Sequence, residues 1–421
     1  MQSSIKLRLT VMNFLQFAVW GAYLTSMGRY LGTAGFGSEI GNFYAMQGLV
    51  SLFMPALMGI VADRWIPAQR LLGLCHMIAG MLMLGVFLYT QTETPSYPTL
   101  FALYSLSVAF YMPTLALSNS VAYTSLDQAG LDLVKSFPPI RVFGTVGFIC
   151  TMIAVSLLGL EATSGQFAVS AIISLVLAVY AQTLPNCPTA PKGQSKSLVE
   201  ALGLRAFVLF KQRKMALFFI FSMLLGVSLQ ITNGFANPFI STFGEIPAYA
   251  DTFGVKHANI LISLSQLSET LCILLIPFAL RRFGIRRVML IAMVAWVLRF
   301  ALLGLGNPGS GVWLFLLSMI VYGVAFDFFN VSGSLFVDKE TDPSIRSSAQ
   351  GLFMIMTNGI GATLGSLGAQ AVINHFVHTE HDTTAILTGW SMSWYIFATY
   401  AAVVAVLFAL LFRYNTVTEA K

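Results

Sequence analysis

The stretch Tyr322-Gly-Val-Ala-Phe-Asp-Phe-Phe-Asn330 lies inside a run from Trp313 to Val337 whose single charged residue is Asp327. As a helix that run is long enough to cross the ~30 Å hydrocarbon core of a bilayer. A carboxylate at such depth costs on the order of 3 kcal/mol, so it is rarely kept without a partner or a task. Tyr322, Phe326, Phe329 and Asn330 surround it with aromatic faces and an amide. That mixture suits either a grip on a small polar molecule or an Asp tied to a neighbouring helix as glue.

The rest of the chain has the same character. Of 421 residues, 57% are hydrophobic and only 10% charged, with mean hydropathy +0.77; soluble domains carry about 25% charged residues. Apolar runs of membrane-spanning length recur at 9–30, 41–62, 69–91, 98–123, 139–160 and 165–184, then at 215–243, 258–280, 286–306, 312–337, 347–374 and 388–413. The short alternating segments of a β-barrel are not the pattern here. The sequence therefore predicts an all-α membrane protein of twelve transmembrane helices in two six-helix groups, residues 1–184 and 215–421.

Residues 185–214 are expected to link them on the cytoplasmic side. Pro185-Asn-Cys-Pro-Thr-Ala-Pro-Lys-Gly-Gln-Ser-Lys-Ser197 is rich in Pro and Ser and reads as a linker. In Leu198–Lys214 apolar and basic residues alternate, which suits a helix lying on the inner membrane surface or a solvated loop. Lys6, Arg8, Arg64, Arg70 and Lys135 in the first half, and Arg281, Arg282, Arg286, Arg287, Lys339, Arg346 and Arg413 in the second, fall at one set of helix ends. Glu39, Glu93, Glu245 and Asp251, with Lys256, mark the other. Both termini are thus expected in the cytoplasm. The net charge of +6 comes from these loops and is no nucleic-acid footprint. Lys6 and Arg8 precede an apolar run with no cleavage site, so the first helix is expected to be retained.

The halves echo one another. Val108-Ala-Phe110 recurs as Val324-Ala-Phe326, and Met54-Pro55 as Ile276-Pro277, in equivalent helices. A duplicated helical unit is the usual build of secondary transporters, with a mid-membrane site between the repeats.

Polar residues inside the spans are few and fall at helical spacing: Asn13, Gln16, Trp20 and Tyr23; Arg141, Thr145 and Phe148; Gln230 and Asn233; Gln266 and Glu269. Residues three and four apart share a helix face. Facing lipid would be costly, so these stripes are expected to face a shared wet cavity. Amide, carboxylate and guanidinium groups suit a ligand rich in hydroxyls, and Phe148, Phe326 and Tyr322 suit a flat base, on which aromatic faces stack. A nucleoside uses all of these features; a sugar or other hydroxylated metabolite uses most. Glu269 and Asp327 also offer proton chemistry, since burial and nearby charges move a carboxyl pKa in opposite directions. Neither a P-loop nor, within the spans, a nucleophile–base pair or metal set is present, which argues against nucleotide-driven transport and a membrane enzyme. A sensing receptor would bind without accumulating its ligand.

Other features are read plainly. Gly361-x-x-x-Gly365 suits close helix packing. Arg299 is placed either to pair with a cavity carboxylate or to snorkel, and Arg29 either to gate or to snorkel. His375, His378 and His381 read as an exposed loop rather than a metal site, and the four scattered cysteines carry no metal or redox motif.

At Phe137-Pro-Pro-Ile-Arg-Val-Phe-Gly-Thr-Val-Gly-Phe148, Gln230-Ile-Thr-Asn233, the stretch from Tyr322 to Asn330, and Ile345-Arg-Ser-Ser-Ala-Gln-Gly351, the chain resembles the bacterial nucleoside/proton symporters of the major facilitator superfamily. The likeness runs from the first helix to the twelfth. It implies alternating access by two six-helix domains and proton-driven nucleoside uptake across the inner membrane, by a monomer with no cofactor beyond the coupling proton. In the first half it implies nucleoside contacts at Arg141, Thr145 and Phe148. In the second it implies contacts at Gln230, Asn233, Gln266, Glu269, Tyr322 and Phe326, with Asp327 important for transport. Ala236 departs from the family pattern, where Gly is usual, and adds a methyl just beyond Asn233.

Overall fold

In the computed structural model, which describes residues 2–189 and 197–414, the described residues form helices and no strand. They divide into two compact units, Met1–Leu202 and Gly203–Lys421. Ten helical runs among the described residues are long and apolar enough to cross a membrane. One of these is really two, and the first crossing is a broken helix outside the ten, so twelve crossings are present, six in each unit.

In the first unit the first crossing is made of α1 (Gln2–Gly21) and α2 (Met27–Thr33). Between them residues 22–26 form a turn in which Tyr23 and Ser26 donate to carbonyls only three residues back. The second crossing is α3 (Ile40–Ser51) and α4 (Met54–Arg64), parted just before Pro55, whose missing N–H is tolerated in a helix's first turn. Next come α5 (Ala68–Tyr89), α6 (Tyr97–Gln128), α7 (Leu133–Leu157) and α8 (Gly165–Tyr180). α7 lies directly on α1. A Cβ on Gly21 would sit 2.4 Å from the Phe148 carbonyl oxygen, and one on Gly147 would sit 2.1 Å from that of Phe14.

In the second unit, after a short α9 (Leu198–Ala201) that closes the first, α10 (Arg213–Leu229) stops at Gln230 and α11 (Ile231–Thr242) resumes the crossing. Short turns α12 (Pro247–Ala250) and α13 (Phe253–Lys256) lead to α14 (Ala258–Leu305). Its chain reverses at Gly284, with φ 75 and ψ 164, a conformation that costs glycine least. α14 is therefore two crossings, followed by α15 (Val312–Glu340). The eleventh crossing is α16 (Arg346–Met354), a π-helical turn at Ile355–Gly361, and α17 (Ala362–Phe376); α18 (Thr383–Leu411) is the last. Arg286 donates from Nε to the Phe412 carbonyl at 2.6 Å and from Nη2 to that of Ala409 at 2.7 Å, satisfying orphan acceptors at the end of α18.

The segment 198–214, read as either a surface helix or a solvated loop, contains α9 and a 3-10 turn, Leu204–Lys211. Gly203, at φ 67, breaks it, and Ala206 and Leu209 are buried while Phe207 and Val208 stay exposed. Nor does the linker begin at Pro185. Gln69 reads Asn186 and the Cys187 backbone at 2.9 Å each, which docks this piece onto the first unit. Residues 190–196 of that linker lie outside the described residues.

The glycine pair read as a packing motif does pack. A Cβ on Gly361 would sit 2.4 Å from the Met223 carbonyl oxygen and one on Gly365 would sit 1.9 Å from that of Val227, while Gly226 meets Thr357 in the same way at 2.4 Å. Gly365→Ala should therefore lower the unfolding midpoint of detergent-purified protein by about 5 °C, given overpacking costs of about 1–3 kcal/mol. Gly85→Ala, where a Cβ meets nothing within 4 Å, should leave it unchanged.

Candidate functional site

The polar residues singled out in the spans separate into two populations. Asn13, Gln16 and Tyr23 are fully buried inside the first unit. Gln16 donates from Nε2 to Thr114 Oγ1 at 2.7 Å and accepts at Oε1 from His76 Nε2 at 2.8 Å, while Tyr111 donates to its carbonyl at 2.8 Å. His76 Nδ1 lies 2.9 Å from Ser174 Oγ. This network joins α1, α5, α6 and α8 and accounts for the Gln16 side chain, so the expectation that the first-helix stripe faces a cavity is corrected for Asn13, Gln16 and Tyr23, while Trp20 stays half-buried. In a bilayer such groups must be satisfied within the protein.

Arg141, Thr145, Gln230, Asn233, Gln266 and Glu269, by contrast, are half-buried. In the first unit α7 places Arg141 with its guanidinium 4.0 Å from the centre of the Phe17 ring, a cation–π contact. One turn on is Thr145, and then Phe148, which is buried and meets Trp20 edge-on at 6.4 Å. The Gly21 and Gly147 contacts fix how close α7 comes, and hence where Phe148 sits. Phe17 was not singled out from sequence; its position one turn after Asn13 and one before Trp20 is the signal that was there.

In the second unit, the break between α10 and α11 sets Gln230 at the joint, and Asn233 donates from Nδ2 to Gln230 Oε1 at 2.9 Å. Gln266 and Glu269 occupy one face of the first part of α14, and Thr270 bonds back to the Gln266 carbonyl. On α15 Tyr322 and Phe326 stack, with ring centres 5.6 Å apart and planes within 14°. Gly323 lets α15 approach α14: a Cβ there would sit 2.5 Å from the Ser268 carbonyl oxygen. Asp327 is only 5% exposed, and its Oδ2 has no hydrogen-bond partner in the protein. Electrostatically it faces Glu269, and Tyr322 lies in the field of Glu269, Arg299 and Asp327 together.

Two basic side chains do something other than snorkel. Arg29 forms an ion pair with the buried Glu161 at 3.3 Å. Arg299 is 2% exposed, and its guanidinium lies 4.5 Å from the centre of the Tyr322 ring, not on a carboxylate. The reason is reach: the groups opposite it on α11 and α15 are Thr232 and the Ser318 carbonyl, which it bonds at 3.2 and 2.8 Å. Among the described residues no group of three His, Cys, Asp or Glu side chains is placed to hold a metal.

Two six-crossing units with broken first helices, each carrying half-buried polar groups inside its spans, define a secondary transporter of the major facilitator type. The chain belongs to the nucleoside H+ symporter family, whose profile matches residues 3–417. It is 50% identical to a xanthosine permease of Escherichia coli (strain K12) over 98% of this chain and 97% of the relative. To the nucleoside permease NupG of the same organism it is 47% identical over 98% and 97% of the two chains. The crystal structure of nucleoside transporter NupG matches with a TM-score of 0.88 at 47% identity, covering 98% of this chain and 100% of that one. An auto-inhibited peptide transporter of the POT family, at 16% identity and a TM-score of 0.69, shares the fold.

Accessibility is directly measurable. In a background with the exposed Cys150 replaced by Ser, a cysteine placed at Gln230, Asn233 or Gln266 should react with a small charged thiol reagent in membranes. One placed at Asn13 or Gln16 should not react.

Proposed function

We propose that this multi-pass transporter, a nucleoside/proton symporter, brings nucleosides across a bacterial inner membrane as a monomer. Both termini lie in the cytoplasm, and the coupling proton is its only cofactor. The substrate-binding groups are polar and aromatic side chains of the spans. Gln230, Asn233, Gln266 and Glu269 bond the ribose hydroxyls and base edges, and Phe148, Phe326 and Tyr322 pack against the base. Arg141 and Thr145 orient polar groups from α7. Proton coupling falls to Asp327 and Glu269.

The observation that carries this reading is the juxtaposition on α15 of a parallel Tyr322–Phe326 ring pair with the buried, part-unpartnered carboxyl of Asp327. Flat rings offer a stacking surface that matches a planar base. Amides supply both donors and acceptors, as hydroxyl groups and base edges require. A buried carboxyl with an unpaired oxygen is a group whose charge depends on what reaches it, which is what proton coupling demands. The cation Arg141 and the two carboxylates suit a neutral substrate better than an anion.

The test is uptake of labelled uridine and adenosine into proteoliposomes with and without an inward proton gradient, wild type beside Asp327→Asn. Gradient-driven accumulation is expected in the wild type and its loss, with binding retained, in the variant. Accumulation unaffected by Asp327→Asn would move coupling to Glu269. Failure of well-folded wild type to take up either nucleoside would turn the reading to sugars or other hydroxylated metabolites. Gln266→Ala should raise KM about tenfold with little change in Vmax, since a lost hydrogen bond to a bound ligand costs roughly 0.5–1.5 kcal/mol.

A further inference from the structure

Arg299 is the only lysine or arginine buried among the described residues. It sits in the second part of α14 and reaches three other pieces of the second unit at once. Nη2 donates to Thr232 Oγ1 on α11 at 3.2 Å. Nη1 donates to the Ser318 carbonyl on α15 at 2.8 Å and lies 3.4 Å from Ser265 Oγ on the first part of α14. The guanidinium carbon lies over the Tyr322 ring, 4.5 Å from its centre, and Ser318 returns a bond from Oγ to the Arg299 carbonyl at 2.9 Å. Trp296, one turn earlier, meets the same tyrosine edge-on at 5.9 Å and 88°.

Three of these contacts are next to a candidate ligand group or are one. Thr232 precedes Asn233, Ser265 precedes Gln266, and Tyr322 stacks on Phe326. None of the partners is charged. A cation shed of water but given no carboxylate is a costly way to glue helices, because an apolar side chain of similar volume would pack there without the desolvation penalty. What a guanidinium offers instead is planarity and five donors in a fixed fork, which can bond two helices while lying flat on an aromatic ring.

We infer that Arg299 is a positioning residue for substrate: it holds the helices bearing Gln230 and Asn233, Gln266 and Glu269, and Tyr322 and Phe326 in the one register in which their side chains converge on a nucleoside. This rests on the nucleoside reading above. The contribution is made before substrate arrives, so it acts on affinity by removing freedom from the ligand groups. It also explains why this arginine does not snorkel: hydroxyls, a carbonyl and a ring hold it in place. Lysine cannot replace it, since a single ammonium cannot bond α11 and α15 and also cover the ring.

The test uses full-length protein in proteoliposomes, with uridine as substrate and thermal unfolding of the ligand-free protein as control. Arg299→Lys should raise the uridine KM at least tenfold with Vmax within threefold of wild type and an unfolding midpoint within a few degrees. In a Tyr322→Leu background, where the ring to be positioned is gone, the same replacement should change KM less than threefold. Thr232→Val removes one hydrogen-bond acceptor without changing shape, and should raise KM about threefold at unchanged midpoint. Unchanged KM in folded Arg299→Lys, or in Thr232→Val should the lysine variant not fold, overturns the inference, as does full additivity with Tyr322→Leu. Absence of nucleoside uptake by the wild type would instead overturn the functional reading, so the two failures are told apart.

Discussion

A bilayer offers no water to a polar group, so every amide, hydroxyl and charge inside it must find its partner within the protein or line a wet space. That constraint sorts the polar residues of this chain. Gln16, Thr114, His76 and Ser174 close on one another inside the first unit, and Asn237 donates to Asn259 at 3.0 Å inside the second. Arg299 is absorbed by hydroxyls, a carbonyl and a ring. Among the polar residues left half-buried after this sorting are Arg141, Thr145, Gln230, Asn233, Gln266 and Glu269. The candidate site is therefore found by subtraction as much as by motif.

The same subtraction runs through the backbone. Each unit breaks its first crossing, at residues 22–26 in one and at Gln230 in the other, and in each the helix packed on that crossing comes within backbone contact through glycines. In the first unit Gly21 and Gly147 let α7 touch α1; in the second Gly226, Gly361 and Gly365 let the π-helical turn and α17 touch α10. A Cβ at any of these positions would drive the helices apart. In the first unit that displacement would carry Phe148 with it, because the Phe148 carbonyl is the very atom that Gly21 accommodates. Small residues at a membrane helix interface thus do more than join helices; they set the depth of a ligand group.

Much of this was legible in the chain. Hydropathy placed the crossings to within a few residues, and the i, i+3 and i, i+4 spacing found the half-buried groups, because both depend on local periodicity. The breaks were less visible: nothing in Gln230-Ile-Thr-Asn233 is a helix breaker, and tertiary packing decides where α10 ends. The first-helix stripe has the same spacing as the others, yet Asn13 and Gln16 are core residues, since periodicity reports a shared face and not what covers it. Over 198–214 the alternation of apolar and basic residues left helix and loop both open, and the break falls at Gly203, whose backbone is left-handed. Arg299 was seen as an anomaly, but a guanidinium lying on a tyrosine from another helix leaves no mark in sequence.

The charges of the second unit then form a single problem rather than three. Glu269, Asp327 and Arg299 all act on Tyr322, the ring that also stacks on Phe326. A lysine at 299 would lack the planar fork that bonds two helices at once, so the geometry around Tyr322 would loosen. Tying the guanidinium to Thr232 and the Ser318 carbonyl fixes the cation against the Tyr322 ring. A symporter needs one group whose charge changes and a scaffold whose geometry does not. In the function proposed above Asp327 is the former and Arg299 belongs to the latter, and Tyr322, against which Arg299 lies and which shares the field of Asp327, stands between the two.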